Sequence, residues 1–419
     1  MNIWITQIGE PLPLDSNTRK MRTALMADEL VRRDHRITWW ASAFDHISKK
    51  VQFSRDQTII INDNYKIEAI FGKEYRRNIS WQRYSDHRII SKKLYTKLSQ
   101  SPPPDIMIVS MPDHLTAFQS VRYAQLNNVP VLVDVRDEWP DLFLGAVPGF
   151  LRPAARCLLM KDLANTSYLL SHSQAITSMM DSLHRWALGK AGREKGWMDR
   201  VFYLGAMPPV SCDADSLAPE IYRLRGLVKN RFVLLYIGTF GKHNDPTIMI
   251  EAAASLKKAG MADRFYFIIA GDGKYFNDIA QSAAAFDNVF LPGWLGQNEI
   301  SFLLSLATVG VLPSTSHRDE FPNKAFTYLS AGIPIITSAG GELKEIVDVF
   351  QVGYNYEPND RDGFIGKIKD MDNDPPCVHK MSERAAAIFN ERFHAGKIYH
   401  DFADHIEKVA ACRERNFRT

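Results

Sequence analysis

The sequence has few cysteines, no long hydrophobic run and a net charge of only +3. Cys157, Cys212, Cys377 and Cys412 are far apart and lack the spacing of metal ligands, which favours idle or buried thiols in a reducing compartment. No apolar run approaches the ~20 residues that span a bilayer, and no basic segment followed by an apolar core opens the chain as in a signal peptide. The small net charge does not indicate a nucleic-acid-binding protein.

The composition is that of a soluble globular protein, with 45% hydrophobic and 24% charged residues. At 419 residues, the chain is expected to hold two or three domains. A strand, a glycine loop and a helix follow one another twice, at 2–7, Gly9 and 18–33, and again at 232–237, 238–242 and 246–259. This order is typical of doubly wound α/β sheets. The glycine spacing is not G-x-G-x-x-G, so a dinucleotide cofactor is not indicated.

The remaining segments predict an α/β protein in two Rossmann-like halves and a C-terminal helix. We predict domains at 1–206 and 207–390, with 391–419 as a helix that packs back on the first domain. In the first half, 50–77 reads as a strand-rich insertion, 168–171 as a strand and 187–199 as a surface loop. Two such domains facing each other form a cleft at the carboxyl ends of their sheets, where ligands bind.

The stretch 314–338 carries the densest chemical signal. It predicts a strand end, a polar loop, a helix, a Gly-Pro stop and a further strand. Asp319 and Glu320 lie in the loop, Pro322 suits the first turn of the helix, and Lys324 follows in that turn. Helix N–H groups beside a lysine suit a phosphate, and the carboxylates suit sugar hydroxyls. The stretch therefore favours an anionic ligand that also carries hydroxyls.

Together, these segments resemble the retaining glycosyltransferases of family four, which have the GT-B fold. The resemblance lies in YIGTFGKHNDPTIMIEAA at 236–253, FYFIIAGDGKYFNDI at 265–279, the segment 289–314 and the stretch 314–338. The first half is similar more loosely, at the Gly9 loop and the helix 18–33. Its segment DVRDEWPD at 134–141 is similar to the D-x-x-D-x-W-P segment of polysaccharide and O-antigen members.

The resemblance implies an enzyme of cell-surface polysaccharide synthesis. Such an enzyme transfers a hexosyl or N-acetylhexosaminyl group, with retention, from a nucleotide sugar to a glycan or polyprenyl-linked glycan. A UDP-sugar is the favoured donor, and neither a cofactor nor a metal is implied. The first domain takes the acceptor and the second takes the donor. The implied location is the cytoplasm, with the inner face of the plasma membrane as a candidate.

The resemblance and the chemistry together select candidate site residues. Lys242 and Lys324 are the cations expected to stabilise the departing diphosphate, and His114 and Asp137 are catalytic candidates on the acceptor side. The donor-binding candidates are Gly238, Thr239, Gly241, Gly271, Trp294, Leu295, Asp319, Glu320, Phe321, Pro322, Asn323 and Thr327. The acceptor-binding candidates are Gly9, Arg19, Arg22 and Arg136. Each has a structural alternative, such as a surface lysine, a buried tryptophan or a packed histidine.

Two positions depart from the pattern of the resembling family, which has a pair of glutamates there. Asp319 keeps a carboxylate, whereas Thr327 cannot grip a ribose with two oxygens. Two alternatives therefore stay open beside the transferase. One is a nucleotide-sugar epimerase of the same architecture, and the other is a catalytically weak homologue that binds a nucleotide sugar or a partner enzyme.

The segment 142–160 combines aliphatic side chains with Arg152 and Arg156, and Lys161 follows it. One interpretation is a surface that rests on an anionic membrane and brings a lipid-linked acceptor to the site. The other is a helix packed on its own domain.

Overall fold

The computed structural model describes residues 1–14, 20–145, 147–317 and 319–416. They form two compact units, Met1–Tyr203 with Ile398–Thr419, and Leu204–Lys397. Each unit is built on one sheet in which parallel pairing dominates. In the part of the chain described, no helix is both long enough and apolar enough to cross a bilayer.

The first unit holds an eight-stranded sheet in the order β10-β9-β8-β7-β1-β2-β6-β5. Its strands are β1 Asn2–Thr6, β2 Arg36–Ser42, β5 Gln57–Asn62, β6 Tyr65–Ile70, β7 Ile106–Met111, β8 Val131–Val135, β9 Ala175–Ser178 and β10 Arg200–Val201, while β3 Phe44–Asp45 and β4 Lys50–Val51 form a separate hairpin. Only β5 pairs antiparallel within the described part of this sheet. β7 and β8 are buried along their whole length, as expected for central parallel strands.

The helices of the first unit follow its strands. They are α1 Arg22–Arg32, α2 Trp81–Ser99, α3 His114–Leu126, α4 Asp141–Gly145, α5 Arg152–Leu158, α6 Met160–Ser171 and α7 Asp181–Ala191. The strand predicted at 168–171 is wrong, because these residues end α6. Thr166, Leu169 and Leu170 are buried on one face of that helix, and a short apolar run reads alike in a buried helix and a buried strand. The loop predicted at 187–199 begins only after α7 ends at Ala191.

The second unit holds a six-stranded sheet in the order β13-β12-β11-β14-β15-β16, with every pair parallel. Its strands are β11 Phe232–Ile237, β12 Phe265–Ala270, β13 Val289–Gly293, β14 Val309–Leu312, β15 Ile335–Thr337 and β16 Gly353–Asn355. Its helices are α8 Pro219–Leu227, α9 Thr247–Lys258, α10 Phe276–Ala283, α11 Gln297–Leu306, α12 Asn323–Ser330, α13 Gly341–Phe350, α14 Arg361–Asn373 and α15 Pro375–Ile388. The strand order reverses between β11 and β14, and such switch points are preferred ligand sites.

The C-terminal helix α16, Ala395–Asn416, packs against the first unit from Ile398 onward. Arg33 Nη1 donates to Asp404 Oδ1 at 2.6 Å, and the rings of Phe202 and Phe402 stack with centroids 4.4 Å apart. The packing of a C-terminal helix against the first domain was predicted. The two Rossmann-like sheets and the α/β class are confirmed as well.

Candidate functional site

The loops that follow β11 and β12 pack backbone against backbone. Gly238 has φ 149° and Gly271 has φ 146°, values that favour glycine. A Cβ on Gly271 would lie 1.8 Å from the carbonyl oxygen of Gly238, so no side chain fits there. Gly238 N donates to Ala270 O at 2.9 Å, and Phe240 N donates to Asp272 O at 2.9 Å. Gly238 and Gly271, two of the donor-binding candidates, are therefore required by the conformation of these loops.

Lys324 in the first turn of α12 lies directly over this glycine loop. Its Nζ donates to Tyr236 Oη at 3.0 Å and lies 4.4 Å from the centroid of that ring. A Cβ on Gly238 would come within 2.7 Å of the same Nζ. The ammonium is half-buried and forms no ion pair with a carboxylate in the described chain. Burial lowers the pKa of Lys324 to about 8, and the charge of Glu320 offsets part of this effect.

Lys242 lies at the exposed end of the same loop. Its main-chain oxygen accepts a hydrogen bond from Thr315 Oγ1 at 2.8 Å, which ties the loop after β11 to the loop after β14. Its side chain lines a surface pocket of about 390 Å³ together with Asp245, Tyr275 and Asp278. Two carboxylates thus share the surroundings of Lys242, whereas Lys324 pairs with no carboxylate of the residues that the structure describes.

Asp319 supports the neighbouring helix. Its Oδ1 accepts the backbone N–H of Glu342 at 2.9 Å, in the first turn of α13. Gly341 has φ 62°, and a Cβ there would strike the Asp319 carboxylate. His317 Nε2 lies 2.9 Å from Glu357 Oε2, so its acidic partner is Glu357 and not Asp319 or Glu320 of its own loop. Arg318 lies outside the described residues. Asp319 therefore positions the N-terminus of α13, and half-buried Glu320 is the other acid of this loop.

The remaining donor candidates divide into packed and accessible positions. Thr327 Oγ1 donates to Asn323 O at 3.2 Å within α12. Phe321 is buried with its ring 4.3 Å from that of Phe326, so it belongs to the core. Trp294 is exposed after β13, which rules out the buried-tryptophan alternative. Thr239 and Asn323 are exposed, while Gly241, Leu295 and Pro322 are half-buried.

In the first unit, two of the arginines predicted to bind the acceptor form hydrogen bonds within the unit. Arg22 is buried, and its Nε and Nη2 donate to Asp134 at 2.9 and 2.8 Å, while its Nη1 donates to Phe202 O at 2.7 Å. Arg136 donates to Asp134, Glu10, Thr23 and Ser110. Both guanidinium groups therefore hold the sheet to α1, and none of these hydrogen bonds supports a role in binding the acceptor. Arg19 lies outside the described residues.

The other candidates of the first unit follow strand ends, as predicted. His114 begins α3 after β7 and is buried, with its Nε2 3.2 Å from Asp162 Oδ1 but without hydrogen-bond alignment. Asp137 follows β8, is half-buried and accepts the backbone N–H of Glu138 at 3.0 Å. Gly9 follows β1, and its N–H donates to Gln7 Oε1. The structure thus gives His114 a packed setting and keeps Asp137 partly accessible.

Sequence comparison covers the part of the chain that contains the Lys324 site. The profile of the family "Glycosyl transferases group 1" matches residues 220–387. These residues are similar to a glycosyltransferase group 1 domain, and the name group 1 domain denotes this matched part of the chain. The group 1 domain includes the glycine loops, α12 and the N-terminus of α13.

The curated proteins to which the chain is similar include glycosyltransferases. The chain is 28% identical over 177 residues, 40% of its length and 44% of the relative, to the Escherichia coli enzyme UDP-Gal:alpha-D-GlcNAc-diphosphoundecaprenol alpha-1,3-galactosyltransferase. The chain covers less than half of the length of this relative and of two further curated relatives.

Solved structures show the fold over nearly the whole chain. HepE from Anabaena, solved with UDP, superposes with a TM-score of 0.66 at 13% identity, over 97% of this chain and 99% of that one. Sucrose-phosphate synthase from Thermosynechococcus elongatus superposes with a TM-score of 0.70 at 14% identity, over 98% of this chain and 99% of that one. At these identities the likeness establishes the GT-B fold.

Sequence reasoning missed Tyr236, which binds the Lys324 ammonium. Its signal was weak, because an aromatic residue near the end of a buried strand is ordinary core. Asp319 was predicted to bind the donor, and its contact with α13 was missed because the partner, Glu342, lies 23 residues later.

Proposed function

We propose that this chain is a glycosyltransferase that takes a sugar from a nucleotide-sugar donor, with a UDP-sugar favoured. One observation carries the proposal: the Lys324 ammonium is half-buried against Gly238 and lacks a carboxylate partner among the described residues. A cation in this setting suits a bound diphosphate. The group 1 domain match and the UDP complex of HepE support the donor class.

The proposed reaction breaks the bond between the anomeric carbon and the diphosphate. Negative charge then grows on the leaving diphosphate, and Lys324 stabilises it by charge and hydrogen bonding. We propose retention of configuration, with a leaving-group oxygen taking the proton of the incoming acceptor hydroxyl. In this path, no side chain of the protein acts as the nucleophile.

The test is incubation with a panel of radiolabelled nucleotide sugars and a bacterial lipid extract. The proposal expects label to move into the lipid fraction. Release of an isomeric nucleotide sugar would instead indicate the epimerase. Binding without turnover would indicate the weak homologue, which is favoured by the commitment of Asp319 to α13 and of Thr327 to its own helix.

The pKa of Lys324 predicts how activity depends on pH. Its charged form stabilises the diphosphate and predominates below about 8, so kcat/KM should be retained there and fall as the pH rises through about 8. A pH profile of kcat/KM at constant ionic strength checks this. In the pH profile of kcat, the fall should occur at a higher pH than in the profile of kcat/KM, because a bound anion favours the ammonium. A profile flat from pH 7 to 9.5 would contradict the role of Lys324.

We further propose a lipid-linked acceptor and peripheral contact with the inner face of the plasma membrane. The segment 147–161 contains Arg152, Arg156 and Lys161 and no acidic residue. Phe150 is 82% exposed and Leu158 is 70% exposed, and α5 has no buried residue. These exposures support the membrane interpretation over the alternative of a helix packed on its own domain. Exposed apolar side chains among cations suit an anionic bilayer.

Phe150→Ser combined with Leu158→Ser should lower binding to anionic vesicles at least about tenfold, because both side chains lose apolar burial. Co-sedimentation with vesicles of phosphatidylglycerol and phosphatidylcholine measures the loss. Val349→Ser removes an equally exposed aliphatic residue of the second unit and serves as the control. Equal sedimentation of all three proteins would reject this membrane surface.

A further inference from the structure

Arg83 in the first turn of α2 is held in one position by its neighbours. Its Cζ lies 4.4 Å from the ring centroid of Trp139 and 5.8 Å from that of Tyr75. Nη1 donates to Asn78 O at 2.8 Å, and Nε donates to His87 Nε2 at 3.4 Å. A guanidinium placed between two aromatic rings and fixed by hydrogen bonds loses little freedom when it binds an anion.

A second cation, Lys49, shares the same aromatic ring. Its Nζ lies 5.0 Å from the ring centroid of Tyr75 and donates to Asn78 Oδ1 at 2.5 Å. The Nζ also lies 3.3 Å from His46 Nδ1, which is 2.7 Å from Tyr75 Oη. Lys49 and Arg83 are both half-buried, and within the described ranges neither forms an ion pair with a carboxylate.

The charges of Asp113, Asp86 and Asp137 act on Arg83, and that of Asp45 acts on Lys49, without an ion pair to either cation in the described residues. Asp113 and Asp86 are hydrogen-bonded to other groups. Asp113 accepts the backbone N–H of Leu115 at 2.6 Å and lies 3.6 Å from His87 Nδ1. Asp86 accepts the backbone N–H of Lys73 at 2.6 Å. His87 is stacked on Trp139, so this buried layer positions Arg83.

The lowered pKa values in the cluster agree with a group of cations that lacks a compensating anion. Burial, followed by the charges of Arg83 and Lys49, lowers the pKa of His46 to about 4. Burial and then Arg83 also lower the pKa of Lys49 below its ordinary value. These groups disfavour one another as cations, and an anion among them removes that repulsion.

We infer that Lys49 and Arg83 form a binding site for a phosphate or diphosphate group in the first unit. The apolar residues beside it indicate the source of that group. Ile79, next to Asn78, is 68% exposed and Trp81, at the start of α2, is 75% exposed. The segment 76–84 carries no acidic residue. A phosphate attached to a prenyl-type chain fits this combination better than a free sugar phosphate.

This inference rests on the proposed function only in identifying the ligand as the acceptor. Binding of the phosphate follows from the cluster alone and can be measured without turnover. Failure of one is therefore distinguishable from failure of the other.

The test is calorimetric titration of the full chain with inorganic pyrophosphate and with farnesyl diphosphate, both in saturating UDP to occupy the Lys324 site. Arg83→Gln and Lys49→Gln should each weaken pyrophosphate binding about tenfold, the usual effect of losing a charged hydrogen-bond donor. Arg88→Gln, an exposed arginine of the same helix, should leave it unchanged. Thermal unfolding verifies that the variants are folded, and Lys49→Gln leaves the Trp139 stack intact.

The two probes separate the sources of the phosphate. Tighter binding of farnesyl diphosphate than of pyrophosphate, with both lowered by Arg83→Gln, supports a lipid phosphate. Equal affinities would overturn the lipid part and leave a site for soluble phosphates. Unchanged pyrophosphate affinity in both variants would overturn the site. So would a titration lost in Lys324→Ala but kept in Arg83→Gln, because it would assign the probe to the second unit.

Discussion

Replacing Lys324 by alanine should lower kcat about a hundredfold, the typical effect of losing one donor to a developing negative charge. The substitution removes the only side-chain ammonium shown to lie against Gly238 in the described structure. It also leaves Tyr236 Oη without its Lys324 partner, although that hydroxyl still donates to Thr239 O at 2.9 Å. Initial-rate kinetics with the donor identified by the panel measure the change.

The split between kcat and KM locates the effect in the reaction. A fall in kcat with a small change in KM means that Lys324 acts mainly in the transition state. Lys344→Ala, an exposed lysine of α13 in a loose pair with Asp348, is the matched control and should retain activity. Turnover of Lys324→Ala at the level of the control would refute the assignment.

Replacing Arg22 by methionine should destabilise the first unit by about 3 kcal/mol, because a buried ion pair loses one partner. The side chains of Arg22 and Asp134 are 1% and 0% exposed. Burial alone would raise the pKa of Asp134, but Arg22 and Arg136 outweigh it and hold the pKa well below its ordinary value. Urea unfolding at pH 7 measures the loss of stability.

Two controls make this second prediction specific. Arg32→Met removes an arginine of the same helix that is 75% exposed, so we expect a change of no more than about 1 kcal/mol. Because the folded-state pKa of Asp134 is depressed, its contribution is present above the unfolded pKa of about 3.9 and is lost as the pH falls below it. The difference in the free energy of unfolding between wild type and Arg22→Met should therefore become smaller at acidic pH. If Arg22→Met loses no more stability than Arg32→Met, the structural role of Arg22 is contradicted.

Local patterns predicted most of the fold, because the strands are apolar and separated by glycine loops. β11 matches its predicted bounds, 232–237, and α9, Thr247–Lys258, lies within the helix predicted at 246–259. The failure at 168–171 arose because four apolar and small residues carry no periodicity of their own. β16 was not predicted, since its three residues acquire their structure only by pairing with β15.

The site could be predicted only where its parts are near in sequence. Lys324 was predicted from the helix start around it, and its ammonium lies beside Gly238. The buried pairing of Arg22 was not predicted, because its partner Asp134 is 112 residues away and no local pattern reveals that pair. The aromatic support of Arg83 by Trp139 is equally non-local. Long-range pairing of charges therefore decided which predicted arginines are structural.

The most direct test of the Lys324 site compares UDP with uridine in calorimetric titrations of wild type and Lys324→Ala. We predict that wild type binds UDP at least about tenfold more tightly than uridine, since only UDP carries the diphosphate. In the variant, UDP affinity should fall toward that of uridine, while uridine affinity stays unchanged. Equal UDP affinity in the two proteins would contradict a diphosphate site at Lys324.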